Sequence, residues 1–236
     1  MEIAGCRALV VGATGVIGGA FARALAAQGA VIAVAGREAR ALDAVAAHCR
    51  NAPARTFDAY DLDSVADLPR WAADRLSGLD LVMSAMGVAA FSDASDLPDE
   101  VAEHLMTVNA LAPMSLLRGA LPLLGPGGTV AAITGVVAER PQPFMADYSA
   151  SKAALAAWLR AVRREQRARH VRVLEVSLSH LDTGFARRAV RGTPPPLPAG
   201  ADFAATIEHV VAAVADGTEA VRCGADGALV NEGRAR

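Results

Sequence analysis

The sequence predicts an α/β fold: a doubly wound parallel sheet with helices on both faces, in a single domain over residues 1–236. Three observations carry this. Short apolar runs alternate with amphipathic stretches of helical period, with no long antiparallel stretch. A glycine cluster stands at the junction of the first run and the first helical stretch. Hydrophobic residues make up 53% of the chain and aromatics only 4%. The core must therefore be mostly Ala, Val and Leu, which suits helices packed closely on a buried sheet.

The elements follow in order. Residues 7–12 (Arg-Ala-Leu-Val-Val-Gly) are too short for a helix and read as a buried strand. Residues 12–18 form a turn, and 16–28 have helical periodicity that ends at Gly29. A second strand spans 30–35 and an amphipathic helix 38–50. A short strand at 54–57 precedes a helix at 64–76, and a fourth strand covers 79–84. Residues 97–117 carry one long helix or two, with a kink expected at Pro113. A fifth strand is read at 128–134, a helix at 145–169 and a sixth strand at 171–177. The Pro-rich stretch 191–200 reads as loop, within a substrate loop or lid expected over 178–200. A last helix spans 201–216 and a last strand 219–223.

Composition excludes several classes. A net charge of −2 gives no electrostatic case for nucleic acid. The basic stretch 160–172 reads as a solvated helix face and helix end. Cys6, Cys49 and Cys223 are odd in number and widely spaced, and no Cys/His cluster occurs, so neither a disulfide framework nor a metal site is indicated. The apolar N-terminus has Glu2 in place of a basic leader and is broken by glycines, unlike a signal peptide. No run reaches transmembrane length. A reducing cytoplasm is the expected compartment, with no membrane partner.

Gly12-Ala13-Thr14-Gly15-Val16-Ile17-Gly18 lies between the first strand and the first helix. In doubly wound (Rossmann) folds a dinucleotide pyrophosphate sits there. Gly12 permits the tight turn, Gly15 lets the backbone approach phosphate oxygens, and Gly18 lets helix and strand pack closely. The helix N-terminus adds unpaired N–H groups and a positive dipole end. The second strand ends Val34-Ala35-Gly36-Arg37. An acid there would hold the ribose 2′-hydroxyl of NAD, and Gly36 offers none. Arg37 can pair with a 2′-phosphate. The expected cofactor is therefore NADP(H), unless Arg37 is only an exposed arginine at a helix entrance.

Lys152 is the one lysine of the chain and stands four residues after Tyr148. Arginine supplies the other basic side chains, so a lysine kept here suggests a site where arginine would not serve. On one helix the two lie a turn apart on the same face. An ammonium beside a phenol favours its ionised form. A free phenol has a pKa of about 10, and each unit of lowering needs about 1.4 kcal/mol. Such a tyrosine can pass a proton at neutral pH. The bland reading is a surface lysine and a half-buried tyrosine on an ordinary helix. The glycine motif reverses those odds.

With these pieces placed, the chain resembles the short-chain dehydrogenase/reductase family over nearly its whole length. Tyr148-Ser149-Ala150-Ser151-Lys152 matches the family's Tyr-x-x-x-Lys. The resemblance implies Tyr148 as general acid/base and Lys152 as the group that binds the nicotinamide ribose and lowers the tyrosine pKa. It implies that Asn109 holds a proton-relay water, against a plain helix-interior asparagine with a local bond. It implies that Asp58-Ala59 recognises adenine, against a strand-end turn residue, and that Thr183 contacts the nicotinamide end. Ser84-Ala85-Met86-Gly87 occupies the cofactor-binding stretch where the family usually has Asn-Asn-Ala-Gly. Family members are usually dimers or tetramers, so a homodimer or homotetramer is implied.

Two further departures matter. Pro-Gly after the sixth strand is replaced by Leu178-Ser179, followed by His180. The family's catalytic serine, thirteen residues before the tyrosine, falls on Gly135, with Thr134 beside it. Thr134 would face away in a regular strand, and a bulge at Gly135 could turn it inward. Thr134, a water or His180 is thus the expected replacement donor. Losing one donor to a developing oxyanion typically costs about 10²–10³ in rate.

The resulting expectation is an NADP(H)-dependent oxidoreductase, a ketoreductase that interconverts a ketone and a secondary alcohol. The alternatives are an epimerase or dehydratase without net cofactor turnover, and a non-catalytic dinucleotide-binding protein. The partner is a small-molecule carbonyl or alcohol, and Phe144, Met145 and Phe185 suggest a partly apolar pocket for it.

Overall fold

Among the residues that the computed structural model describes, 1–224 and 227–234, one eight-stranded sheet organises the chain. Its strands are β1 (Arg7–Val11), β2 (Val31–Gly36), β3 (Ala54–Thr56), β4 (Leu81–Ser84), β5 (Thr129–Ile133), β6 (Arg172–Val176), β7 (Thr218–Cys223) and β8 (Leu229–Arg234). Across the sheet the order is β3-β2-β1-β4-β5-β6-β7-β8. The pairs from β3 to β7 are parallel, and β8 runs antiparallel to β7.

Alternation along each strand feeds two cores. Leu9 and Val11 of β1 face one side, and Ala8 and Val10 the other. The first side is covered by helices α3 (Leu62–Leu76), α4 (Asp99–Met106), α5 (Ala112–Ala120) and α6 (Ala146–Gln166). The second is covered by α1 (Val16–Ala27), α2 (Ala39–His48) and α7 (Phe203–Asp216). Both faces of the sheet are therefore dry, as parallel sheets require. A fully buried anchor such as Phe21 or Leu159 contributes about 1.5–3 kcal/mol.

Two expectations are corrected. The sheet has an antiparallel edge, because β7 turns back into β8 with pairs such as Val221↔Asn231. The segment Leu-Val-Asn-Glu-Gly-Arg has no apolar run to announce a strand; its neighbour β7 supplies the pairing. The irregularity expected at Pro113 lies just before it. Residues Thr107–Leu111 form a π turn, with the Ala112 N–H donating to the Thr107 carbonyl. Pro113 then stands in the first turn of α5, where a missing N–H is tolerated. In an unbroken α-helix that N–H would serve the Asn109 carbonyl four residues back.

The strand order reverses direction between β1 and β4, next to each other at Val11↔Ser84. In open α/β sheets a ligand crevice opens at the carboxyl ends of such strands. Among the described residues no helix is long and apolar enough to cross a membrane.

Candidate active site

A cavity of about 1310 Å³ opens at the carboxyl ends of the strands. Thr14, Gly15, Val16, Ile17, Gly18, Arg37, Ala85, Met86, Thr134, Tyr148, Lys152 and Thr183 all line it. Gly12, Ala13, Asp58, Ala59, Ser84 and Asn109 are not on its wall. Ala13, Ala59, Ser84 and Asn109 are buried beneath. Asp58 is exposed just after β3 and accepts a bond from the Tyr60 backbone N–H at 3.0 Å.

The α1 end is built to be open. Asp61 caps α3 by accepting from the Ser64 N–H, and Asp202 caps α7 in the same way through the Ala205 N–H, each at 2.9 Å. Gly15 caps α1 with no side chain, and among the described residues no side-chain cap bonds its first-turn N–H groups. Gly18 keeps the helix close: a Cβ there would stand 2.3 Å from the Gly12 carbonyl oxygen. At the other end of this stretch, a Cβ on Gly36 would come within 2.6 Å of the Thr14 methyl. No acid fits at that position. Arg37 follows, exposed and with no ion pair or hydrogen bond among the described residues. An uncovered helix end and a free guanidinium fit an anionic dinucleotide.

Lys152 and Tyr148 share the cavity wall from α6, one turn apart. Lys152 is 3% exposed. Its Nζ donates to the Ile133 carbonyl at 3.2 Å and the Met86 carbonyl at 3.5 Å. An ammonium has three donors, so one remains for a ligand hydroxyl. Burial drives its pKa down to about 8, and burial pushes the Tyr148 phenol up to about 12. The expected lowering of the phenol by the ammonium is thus not produced by these residues alone, because Lys152 is turned to the two carbonyls and desolvation dominates at Tyr148.

Asn109 sits in the π turn, fully buried. Its Oδ1 accepts from the Val88 N–H and its Nδ2 donates to the Val88 carbonyl, both at 2.9 Å. Nδ2 also donates to Ser151 Oγ at 3.0 Å. The side chain therefore clamps the stretch after β4 to α6, one residue from Lys152.

A profile of the family described as short chain dehydrogenase matches residues 7–193. The chain belongs to this family. It is 31% identical over 201 residues to a hydroxysteroid 11-beta-dehydrogenase 1-like protein of Gallus gallus, covering 81% of the chain and 69% of that relative. A short chain dehydrogenase from Burkholderia cenocepacia, solved in complex with NADP, superposes with a TM-score of 0.81 at 26% identity, covering 91% of this chain and 92% of that one. A dehydrogenase/reductase from Sinorhizobium meliloti superposes with a TM-score of 0.79 at 26% identity, covering 90% of each chain.

For a short-chain dehydrogenase the wall opposite Tyr148 is unusual. Gly135 has φ 94° and ψ 155°, a conformation open essentially to glycine. Thr134 is 1% exposed, and its hydroxyl donates to Glu175 Oε1 at 3.2 Å. Thr134 was an expected substitute for the serine; its hydroxyl is instead spent inside the protein. Ser179, His180, Thr183 and Arg188 line the cavity as side-chain donors beyond β6.

Glu175 escaped the sequence reading. It is fully buried, and Arg222 Nη2 donates to its second oxygen at 3.0 Å. Arg222 also bonds Glu139 and Glu232. The signal was present: a carboxylate inside the apolar strand Arg-Val-Leu-Glu-Val demands a partner.

Proposed function

We propose that this short-chain dehydrogenase is an NADP(H)-dependent oxidoreductase that interconverts a ketone and a secondary alcohol. The observation that carries the reading is the buried ammonium of Lys152, with one donor uncommitted, beside the Tyr148 phenol in the same cavity as the open α1 N-terminus. Arg37, free at the end of β2, supports NADP over NAD, as does the NADP held by the Burkholderia cenocepacia relative.

A nicotinamide cofactor held in this cavity would supply the hydride chemistry, to a carbonyl carbon or from an alcohol. The chain's own residues do the rest. The α1 N–H groups and Arg37 hold the phosphates. Lys152 directs its third N–H at the ribose. Tyr148, kept protonated by burial, gives its Oη proton to the carbonyl oxygen as negative charge develops there, and takes it back in the reverse direction. With the cofactor bound, the Lys152 ammonium would be a cation in the same cavity able to offset the charge left on Oη. In this reading the Asn109 carbonyl, without an α-helical donor because residue 113 is proline, holds the water that returns the proton. Asp58, Ala59 and Thr183 belong to the same proposal as adenine-side and nicotinamide-side contacts, and so does a cytoplasmic homodimer or homotetramer.

The test is stoichiometric NADPH consumption with a ketone, in native protein and in Tyr148→Phe. The variant keeps the ring and is expected to bind cofactor while turnover falls by about 10² or more. Equal turnover would remove Tyr148 from its role. Cofactor binding without consumption on any ketone would favour a dinucleotide-binding protein.

A further inference from the structure

Aromatic side chains are scarce in this chain, yet they collect at one place. Of six phenylalanines, Phe91, Phe144 and Phe185 line the cavity, as does one of two tyrosines, Tyr148. The Tyr148 and Phe185 rings stand 6.4 Å apart, tilted by 45°. With Phe91, Met145 and Leu197 they form an apolar cluster separate from the two cores under the sheet.

Phe144 is the odd member. It is 51% exposed and is not part of that cluster. Its φ is 63°, in the left-handed region that bulky residues rarely adopt. The surroundings hold it there: its carbonyl accepts from the Ser92 N–H at 2.9 Å, and the next N–H, of Met145, is bonded to the Gln142 carbonyl. Glycine would take this backbone without strain. The phenylalanine ring therefore serves neither the backbone nor the core. Strain kept at a cavity mouth, on a residue whose ring is open to a ligand, points to function.

The segment beyond β4 is also strapped to the loop beyond β6. The Val190 N–H donates to the Ala89 carbonyl at 2.8 Å and the Phe91 N–H to the Arg191 carbonyl at 2.9 Å. The backbones that carry Phe91 and Phe144, joined by the Ser92 bond, are thereby held beside the loop beyond β6. Several rings on one cavity wall favour a flat ligand. Offset and edge-to-face ring pairs form at centroid separations of about 4.5–7 Å and add to what area burial alone supplies. An alkyl chain gains only the area contribution.

We propose that this wall selects ketones whose carbonyl is borne on a flat aryl or fused-ring body, and that Phe144 is the residue that grips that body. This rests on the ketone–alcohol reading above. In the reduction, hydride from NADPH goes to the carbonyl carbon, the proton from Tyr148 goes to oxygen, and the products are the aryl carbinol and NADP⁺.

The experiment titrates 2-acetylnaphthalene and 2-dodecanone, ketones of equal carbon count, into native protein and Phe144→Gly, each saturated with NADP⁺. Native protein is expected to bind the aryl ketone about tenfold more tightly. In Phe144→Gly that preference falls toward about onefold, while the variant melts no lower than the native protein because the backbone strain is gone. Equal native affinities overturn the inference, and so does a Phe144→Gly variant that keeps the preference. A variant that keeps the preference but changes oligomeric state also overturns it, because the ring then belongs to a subunit contact. NADPH consumption is read separately: aryl selectivity in binding without turnover defeats the ketone–alcohol reading and leaves the pocket inference standing.

Discussion

The hydroxyl of Thr134 donates to Glu175 Oε1 at 3.2 Å, with both side chains closed off from solvent. This bond ties the end of β5 to β6, and Arg222 on β7 completes it at 3.0 Å from the other side. Lys152 hangs on the carbonyl of Ile133, the residue just before Thr134. A charged pair sunk in the sheet thus fixes the strand end from which the ammonium is suspended. Thr134→Val removes one donor from a buried carboxylate and is expected to cost about 1–3 kcal/mol of stability. Turnover per folded molecule should change less than about threefold. Chemical denaturation and steady-state rates on the same sample check this. A loss of about 10² in turnover at full stability would restore Thr134 as a donor to substrate.

Gly135→Ser is the natural attempt to restore the serine of the family. A Cβ there would meet nothing nearer than the Leu178 carbonyl oxygen at 3.7 Å, so space is available. The backbone is the obstacle. At φ 94° any side chain is strained, and the cost is of order 1–3 kcal/mol. The expected outcome is a less stable protein with no gain in ketone reduction, measured by melting and by initial rates. A stable and faster variant would mean that the turn relaxes around serine.

Lys152 sets a pH window. Burial brings its folded pKa down to about 8 from the ordinary 10.5. Between these values the unfolded chain binds more protons than the folded one, so stability rises with pH across about 8 to 10.5. The charge that serves cofactor and substrate is present below pH 8 and lost above it. Turnover in the reducing direction should therefore decline above about pH 8, and Lys152→Met should lose that limb along with most activity. Because Lys152 is the one lysine of the chain, NMR of protein labelled at the lysine nitrogen gives a single Nζ signal whose titration reads this pKa. A midpoint near 10.5 in the cofactor-free protein would contradict the buried state.

Arg37→Ala should weaken NADPH binding far more than NADH binding. A charge-assisted contact is worth about 1.5–3 kcal/mol, or roughly 10- to 150-fold in affinity. Parallel titrations with both cofactors measure it. Equal losses would place Arg37 on the adenine or the pyrophosphate, parts that both cofactors share.

What the sequence determined by itself is what depends on near neighbours along the chain. The alternation of short apolar runs with helical stretches set seven parallel strands and their covering helices, because burial on both faces leaves a local pattern. The glycine turn at Gly12–Gly18 and the one-turn spacing of Tyr148 and Lys152 were legible for the same reason. What only the tertiary structure decided depends on residues far apart in sequence. β8 is a strand because β7 offers it an edge, and its own composition is silent. Thr134 faces Glu175 because β6 and β7 bring a buried carboxylate and Arg222 beneath it. Asn109 closes on Val88 and Ser151, which are 21 and 42 residues away. The phenol of Tyr148 is governed by burial, not by the lysine one turn along, because desolvation is set by everything packed around a group. Phe144 is held in its strained backbone by a bond to Ser92. Each of these outcomes is a competition for partners that forms only once the chain has folded.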